Sequence, residues 1–293
     1  MMSANSSDSV TSSEDMIGFA PAKINLGLFV TGKRSDGFHD LESVFWPVGW
    51  NDVLEVHRKD TPGLDLKITG LSIEGDATDN LVSRAYVLLQ DRFGIGGVKA
   101  HLHKCIPMGA GLGGGSSDGT CMLKLLNLLF ELGIDDIQGE ALAAELGSDC
   151  PFFWKAHPAH VTGRGEHLAP WDFDFPEGMW IAIAHPGIHV STREAFAGIS
   201  PAPSGLDWGS LSAAPIANWS ELLRNDFQPG IEHLHPRIAA VRNLLTKSGA
   251  VYSQMTGTGS ACFGIFADEE AAQQACEAAR EQGWPAFAAV ANP

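Results

Sequence analysis

Hydrophobic and polar residues alternate along several segments in the first half of the chain, which is the pattern of β-strands with one buried face. Residues 17–30 are predicted to form a strand, an interruption at Pro21 and then a second strand. Turn residues at 32–37 separate this region from the next apolar segment. The remaining strands predicted in this half lie at 41–49, 53–57, 64–73 and 98–106.

Helical spacing of apolar residues predicts helices from about Asn80, from about Ser116 to Leu132, and from about Gln138 to Leu146. The last helix of the chain has Asp268 as its predicted N-cap. Because strands and helices do not alternate regularly, the pattern predicts an α+β fold rather than a doubly wound parallel sheet. The second half is predicted to contain strands near 179–185 and 251–266 and helices near 218–224, 235–248 and 268–282.

The length of 293 residues suffices for two domains of ordinary size. Pro, Gly, Ser and Trp are concentrated at 156–176 and again at 200–217. We therefore predict a boundary near residue 163, which separates a domain at 16–163 from a domain at 164–293. Residues 1–15 are rich in Ser, Thr, Asp and Glu and are predicted to form a disordered tail without the features of a secretory signal.

The net charge of −16 and the pI near 5.0 argue against a nucleic-acid-binding surface, which needs clustered Lys and Arg. No apolar run approaches the ~20 residues that span a bilayer, so no membrane association is predicted. The five cysteines lack CxxC spacing and are expected to be free thiols in a reducing compartment, which predicts a cytoplasmic protein. The histidines lack metal-ligand spacing, so no structural metal site is predicted.

The most informative segment is PMGAGLGGGSSDG, at residues 107–119. It follows a predicted strand and opens the helix predicted from Ser116. Its glycines, at 109, 111 and 113–115, remove side chains, so that backbone N–H groups can surround an anion. The unpaired N–H groups and the positive dipole end of the following helix favour the same kind of ligand. The segment therefore predicts a neutral cradle for the phosphates of a nucleotide such as ATP.

Other interpretations of this segment are weaker. Gly109, Gly111 and Gly114 satisfy the G-x-G-x-x-G pattern of dinucleotide-binding folds, which also requires an acidic residue at the end of a second strand about 20 positions later. The candidate, Glu131, lies instead within the predicted helix. A Walker A loop requires Gly-Lys followed by Ser or Thr, and this segment lacks it. A flexible glycine loop without a ligand is the remaining alternative.

Three segments resemble motifs of the GHMP kinases in their order and spacing. The glycine motif is typical of the whole superfamily, whereas PAKINLGL, GKRSDGFH and LGSDCPFF together resemble the diphosphocytidyl-methylerythritol kinases within it. The matching segments cover roughly a fifth of the chain but span nearly its whole length. They are APAKINLGLFVTGKRSDGFHDLESVF at 20–45, PMGAGLGGGSSD at 107–118 with LGSDCPFF at 146–153, and MTGTGSACFGIF at 255–266.

The resemblance implies a two-lobed fold, with an N-terminal ATP-binding lobe and a C-terminal ferredoxin-like lobe. It implies that ATP, carried with Mg²⁺, meets the second substrate in the cleft between the lobes. The implied reaction transfers the γ-phosphoryl group to the 2-hydroxyl of 4-diphosphocytidyl-2-C-methyl-D-erythritol, a cytidine-diphosphate intermediate of non-mevalonate isoprenoid biosynthesis.

The resemblance also assigns roles to single residues. Lys23 and Asp149 match the catalytic pair of the family, with Asp149 as the general base and Lys23 as its electrostatic partner. Two glycines of the third segment, Gly257 and Gly259, are expected near the site. The residues implied to bind the acceptor are Asn25, Phe38, His39, Thr192 and Phe196. The residues implied to bind ATP are Pro107, Met108, Gly109, Ala110, Gly111, Leu112, Gly113, Gly114, Gly115, Ser116 and Ser117.

The chain departs from the family at two places. Phe38 stands where the family usually has Tyr, which keeps stacking against the base but removes a phenolic hydrogen bond. Gly119 and Thr120 stand where the family often has Ala-Ala, and we expect this change to loosen the helix slightly.

Physical arguments bear on three of these residues. Asp149 precedes the apolar run PFF, where a carboxylate is incompletely solvated and can accept a hydroxyl proton, although a helix-end hydrogen-bonding role is the alternative. Lys23 lies in an apolar strand, where an ammonium needs a partner unless it faces solvent from a sheet edge. His39 follows the turn Asp36-Gly37 and can face either a pyrimidine or solvent.

Two rival functions follow from the same motifs. Another GHMP kinase, of the homoserine or mevalonate type, would share the glycine motif but not the cytidine-site match at Phe38 and His39. A non-catalytic ligand sensor with this fold would bind nucleotide and metabolite without turnover, and the presence of both Lys23 and Asp149 argues against it.

Overall fold

Two β-sheets with helices packed against them organise residues 15–71 and 80–292, which this computed structural model describes. Most of the predicted tail, residues 1–14, lies outside the described residues, as does the end of the strand predicted at 64–73. The mixed helix and strand order confirms the predicted α+β class.

The first sheet has six strands in the order β3-β4-β2-β5-β6, with β1 paired to β2. The β1–β2 and β2–β4 pairs are antiparallel, and β3 and β4 are parallel. Its strands are β1 Met16–Lys33, β2 His39–Lys59, β3 Leu64–Gly70, β4 Gly97–Lys104, β5 Ala159–Thr162 and β6 His167–Pro170.

The predicted interruption at Pro21 is wrong. Strand β1 continues through this residue, and the register against β2 shifts between Pro21 and Ala22. A proline is tolerated there because an irregularity in the ladder does not require its missing N–H. The two strands predicted at 41–49 and 53–57 are likewise one strand, since β2 pairs with β1 on both sides of the intervening residues.

Four helices cover the first sheet or its ends: α1 Leu81–Phe93, α2 Gly114–Leu129, α3 Asp136–Leu146 and α4 Cys150–Lys155. Asn80 caps α1 by accepting a hydrogen bond from the N–H of Val82 (2.8 Å). Helix α2 begins two residues earlier than predicted because Gly113, in the left-handed conformation, is its N-cap. Helix α4 was not predicted, since six residues are too few for a helical period to be recognised.

The second sheet is antiparallel, in the order β10-β7-β9-β8. With helices between β7 and β8 and between β9 and β10, this order is that of a ferredoxin-like lobe, as predicted. Its strands are β7 Trp180–Ala184, β8 Tyr252–Met255, β9 Cys262–Phe266 and β10 Ala286–Val290. The helices of this half are α5 Thr192–Phe196, α6 Trp208–Ala213, α7 Trp219–Leu222, α8 Gln228–Leu234, α9 Pro236–Lys247 and α10 Glu269–Glu281, with a 3-10 turn at Ile216–Asn218.

A shared apolar core joins the two sheets. Trp46 of β2 is fully buried and its indole N–H donates to the carbonyl of Ala291 (2.7 Å), just beyond β10. The boundary proposed near residue 163 falls in the turn between β5 and β6, both of which belong to the first sheet. The division at this residue remains a proposal. Among the described residues, no helix combines the length and apolar character needed to cross a bilayer.

Candidate active site

A cleft of about 480 Å³ lies where the two lobes meet. The first lobe contributes the middle of β1, the start of β2, residues before α4, and the glycine loop (residues 107–117). The second lobe contributes α5 and the turn after β8. The lining residues are Lys23, Asn25, Leu28, Gly37, Phe38, His39, Leu41, Phe45, Gly111, Gly113, Ser148, Asp149, Arg164, Thr192, Arg193, Phe196, Phe227, Gly257 and Thr258.

Lys23 points into this cleft from β1 and is only 3% exposed, so it is not a solvent-facing lysine of a sheet edge. Its ammonium donates to Asn25 Oδ1 (2.6 Å) and lies 4.3 Å from the centre of the Phe45 ring. Burial lowers the pKa of Lys23, while the carboxylate of Asp149 opposes this shift. The ammonium is therefore held in an environment where a further anion would stabilise its charged form.

Asp149 lies at the N-terminus of α4 with Oδ2 3.6 Å from Lys23 Nζ. This separation makes an ion pair but exceeds a hydrogen bond. The side chain is 33% exposed and makes no capping hydrogen bond with α4, which excludes the helix-end hydrogen-bonding role. On its other side is Gly165, where a Cβ would lie 3.3 Å from Asp149 Oδ1. The carboxylate thus lies at the cleft wall with part of its surface free for a ligand.

The glycine loop has the conformation that its glycines predict. Gly109, Gly111 and Gly113 have φ values of 61°, 77° and 71°, in the left-handed region that residues with a Cβ disfavour. A Cβ at Gly113 would lie 2.8 Å from the Phe153 ring and 3.1 Å from Lys23. Gly115 differs, because a Cβ there would have no protein atom within 4 Å. At its glycine positions the loop therefore presents backbone rather than side chains.

The second lobe approaches the glycine loop closely at Gly109 and Gly111. A Cβ at Gly111 would lie 2.2 Å from the carbonyl oxygen of Thr256, and a Cβ at Gly257 would lie 2.8 Å from Cα of Gly111. A Cβ at Gly109 would lie 2.1 Å from Nδ1 of His189. Glycines on both sides therefore allow the two backbones to touch, and Gly257 lines the cleft. Gly259 faces Met255 and Ile231 in the core of the second lobe.

Four of the proposed acceptor residues line the cleft together: Phe38, His39, Thr192 and Phe196. The His39 ring stacks on that of Phe196, with centroids 4.6 Å apart. Phe38 is 52% exposed, and the guanidinium carbon of Arg164 lies 4.9 Å from its ring centre. Thr192, the first residue of α5, also lines the cleft. Two aromatic rings and an imidazole thus lie within one pocket.

Asn25 is fully buried, and its side chain makes hydrogen bonds with three residues. Its amide donates to Ser43 Oγ (2.9 Å), and its carbonyl oxygen accepts from both Lys23 and the hydroxyl of Thr256 (3.2 Å). Since its side-chain oxygen bonds Lys23, Asn25 orients the ammonium as well as lining the cleft.

Some residues of the cleft were missed by the sequence analysis. Arg164 lies in the β5–β6 turn, and only tertiary contact places it against Phe38.

Thr120 Oγ lies 2.9 Å from the carbonyl oxygens of Ser116 and Cys150, so this hydroxyl links α2 to the segment that carries Asp149. At Gly119 a Cβ would lie 2.8 Å from Cβ of Leu81, so glycine permits the close approach of α1 and α2. All five cysteines are free thiols, as predicted.

Comparison with known proteins agrees with this geometry. The sequence matches the family description "GHMP kinases N terminal domain" over residues 80–156 and "GHMP kinases C terminal" over residues 211–283. It is 44% identical over 258 residues to 4-diphosphocytidyl-2-C-methyl-D-erythritol kinase of Bacteroides thetaiotaomicron, covering 87% of this chain and 93% of that protein. The corresponding enzyme of Cytophaga hutchinsonii is 40% identical, with 86% and 92% covered.

Solved structures of kinases superpose on this chain over nearly its whole length. A crystal structure of 4-(cytidine 5'-diphospho)-2C-methyl-D-erythritol kinase superposes with a TM-score of 0.80 at 32% identity, covering 93% of this chain and 98% of that one. Homoserine kinase from Cytophaga hutchinsonii superposes with a TM-score of 0.74 at 20% identity, which shows a shared fold alone. The chain therefore belongs to the GHMP kinases, in the family of the 4-diphosphocytidyl-2-C-methyl-D-erythritol kinases, and is an ATP-dependent small-molecule kinase.

Proposed function

We propose that this kinase phosphorylates the 2-hydroxyl of 4-diphosphocytidyl-2-C-methyl-D-erythritol in isoprenoid precursor biosynthesis. One observation carries the proposal: the Lys23–Asp149 ion pair lies in a single cleft with Gly111 and Gly113 of the glycine loop and with the His39–Phe196 stack. A phosphate-binding backbone, a carboxylate and an aromatic base site are the three parts that this reaction requires. The names of the relatives support the same acceptor.

The proposed chemistry begins with the acceptor hydroxyl beside Asp149. The carboxylate accepts the hydroxyl proton while the oxygen forms a bond to the γ-phosphorus of ATP, and the bond from that phosphorus to the β-phosphate oxygen breaks. ADP leaves with the electrons of the broken bond. The Lys23 ammonium, which Asn25 orients, stabilises negative charge on the transferred phosphoryl group.

The glycine loop is proposed to bind the phosphates of ATP through backbone N–H groups and the N-terminus of α2. Magnesium in such sites is bound by one or two carboxylates together with substrate phosphates. We propose that Mg²⁺ arrives with ATP.

The acceptor's cytosine is proposed to lie against the rings of His39, Phe38 and Phe196. Base-to-aromatic stacking is tolerant of base identity, so the selectivity for cytosine is assigned to the polar edge of His39. The positive charge of Arg164, beside the Phe38 ring, suits the diphosphate of the acceptor. Neither homoserine nor mevalonate contains a base, so the aromatic cluster favours the cytidine acceptor over both.

A coupled ADP-release assay tests the proposed function. Purified protein is supplied with MgATP and, in parallel, with the diphosphocytidyl acceptor, homoserine or mevalonate. ADP release is expected only with the first compound, and free CDP is expected to inhibit competitively against it. Comparable turnover with homoserine or mevalonate would contradict the acceptor assignment and retain the kinase class. Nucleotide and acceptor binding without any turnover would instead support the ligand-sensor alternative.

A further inference from the structure

A buried cluster of three charged side chains lies behind the glycine loop, outside the cleft. The Lys104 ammonium bonds Asp52 Oδ2 and donates to Asp118 Oδ2 at 2.6 Å. The three side chains are between 0% and 3% exposed. Charged groups removed from water in this way are costly unless their partners compensate for the lost hydration. None of the three takes part in the phosphoryl transfer described above.

The cluster is connected to both ends of the glycine loop. Asp52 Oδ1 accepts hydrogen bonds from the N–H groups of Cys105 (2.5 Å) and Ile106 (2.9 Å), the two residues that precede the loop. Lys104 is the last residue of β4. Asp118 lies in α2, directly after the loop. The path from Asp52 through Lys104 to Asp118 therefore bridges the start and the end of the loop.

Asp52 also lies directly against Gly114, within the loop. A Cβ at Gly114 would be 3.5 Å from Asp52 Oδ2. The side chain of Asp52 is thus enclosed between the residues that lead into the loop and the first residue of α2. This arrangement leaves little room for either end to move without breaking a contact with the cluster.

The hydrogen bonds determine how charge is distributed among the three groups. Asp52 receives three donors, from two backbone N–H groups and from Lys104. Asp118 receives a hydrogen bond on Oδ2 alone, and within the described residues its Oδ1 has no partner. A buried carboxylate with a single donor is poorly compensated, so the proton belongs on Asp118 while Asp52 stays ionised.

The directions of the pKa shifts agree with this assignment. Burial raises the pKa of Asp118 to about 8, and the negative charge of Asp52 adds to the shift against the opposing effect of Lys104. Burial alone would lower the pKa of Lys104, but the two acidic residues outweigh it and the net shift is upward. Around neutral pH the cluster then holds one positive and one negative charge and a neutral carboxyl group.

We propose that Asp52, Lys104 and Asp118 are positioning residues that hold the two ends of the glycine loop in its nucleotide-binding conformation, with Asp118 acting as a neutral carboxyl group. This inference rests on the proposed role of the loop as the phosphate site. A loop with glycines at 109, 111 and 113–115 has high conformational freedom, which binding would otherwise have to restrict. Fixing both ends beforehand lowers that cost and raises nucleotide affinity.

Two substitutions at Asp118 separate the proposal from a general effect on stability. Asp118→Ala removes the link to α2 but leaves Lys104 paired with Asp52, so the charges stay balanced. We expect its dissociation constant for MgADP to rise at least about tenfold, with the KM for the acceptor within about twofold of wild type. Asp118→Asn retains a neutral group that can accept from Lys104, and it should restore the affinity to within about threefold.

Calorimetric titration with MgADP and steady-state kinetics measure these effects, with folding verified by circular dichroism. Leu89→Ala, in α1 of the same lobe, is the control for lost stability, and its MgADP affinity should equal that of wild type. A folded Asp118→Ala protein with wild-type affinity would overturn the proposal. Equal losses in Asp118→Asn and Asp118→Ala would overturn the neutral state of Asp118. A Gly115→Ala protein with wild-type MgADP affinity would show that the loop is not the phosphate site. The proposed role of the loop would then fail, independently of the outcome for the Asp118 variants.

Discussion

The imidazole ring of His39 lies stacked on the phenyl ring of Phe196, with centroids 4.6 Å apart and planes inclined by 22°. The two residues belong to different lobes, since His39 begins β2 and Phe196 ends α5. Phe227 supports Phe196 edge-on, at a centroid distance of 4.8 Å. A flat pyrimidine can extend this stack, which makes the pair a binding surface formed only when the lobes are together.

Replacing His39 by Ala should therefore weaken acceptor binding and spare ATP. Stacking of a base on a ring contributes roughly 1–3 kcal/mol, which corresponds to about 5- to 150-fold in affinity. We expect the KM for the diphosphocytidyl acceptor to rise within that range and the KM for ATP to stay within about twofold. Phe19→Ala, on the exposed part of β1, is the matched control and should change neither value. An equal rise in both KM values would contradict base recognition by His39.

The Lys23–Asp149 pair predicts a loss of chemistry without loss of nucleotide binding. Asp149→Asn keeps the size of the side chain but cannot accept the hydroxyl proton. General-base assistance contributes typically ~10²–10⁴-fold, and we expect kcat to fall within that range while ATP affinity is retained. The exposed Asp172→Asn serves as the control. Near wild-type kcat in folded Asp149→Asn protein would eliminate Asp149 as the base.

Lys23→Met should also lower kcat, because charge on the transferred phosphoryl group loses a stabilising ammonium. Since the two groups are in contact, their effects should not add. The double variant is expected to be little slower than the poorer single variant in single-turnover measurements. Multiplicative losses in the double variant would show that the two residues act independently.

Gly115 offers the clearest test of the glycine loop. A Cβ at Gly113 would strike Phe153 and Lys23, so substitution there disturbs the protein itself, whereas a Cβ at Gly115 meets open space. If phosphate occupies that space, Gly115→Ala removes at least one hydrogen bond to a charged group, which contributes about 1.5–3 kcal/mol. ATP affinity should then fall roughly 10- to 100-fold in calorimetric titration. A Cβ at Gly230, in α8, likewise meets open space, so Gly230→Ala should leave the ATP affinity unchanged.

The raised pKa of Asp118 predicts a pH-dependent stability. Because the folded state keeps a proton up to about pH 8 that the unfolded chain releases near pH 4, this contribution is fully present below about pH 4 and is lost as the pH rises to about 8. Urea unfolding should show a free energy of unfolding that declines with pH in this window, by at most ~1.4 kcal/mol per pH unit from this group. Asp118→Asn should flatten that decline, and identical slopes in both proteins would refute the assignment.

Local pattern was enough for most elements of the fold. The left-handed glycines at 109, 111 and 113, the cap at Asn80 and the cap at Asp268 follow from the chemistry of single residues and their immediate neighbours. Lys23, His39 and Asp149 could be proposed as site residues for the same reason, since they lie in short segments with recognisable order. Where a feature depends on a few consecutive residues, the sequence determines it.

Strand continuity and buried ion pairs depend on contacts between distant segments, and only the tertiary structure decided them. Strand β1 is continuous because β2 pairs along it on both sides of Pro21, despite the break that Pro21 suggests locally. The ion pair of Lys104 with Asp52 and Asp118 joins a strand end, a second strand and a helix, and none of the three positions is distinctive in its own segment. Burial supplies the reason, because only the packed core removes these charges from water and forces them to share partners. The sequence determined which groups are present, and the packing determined which of them are charged, paired and held beside the glycine loop.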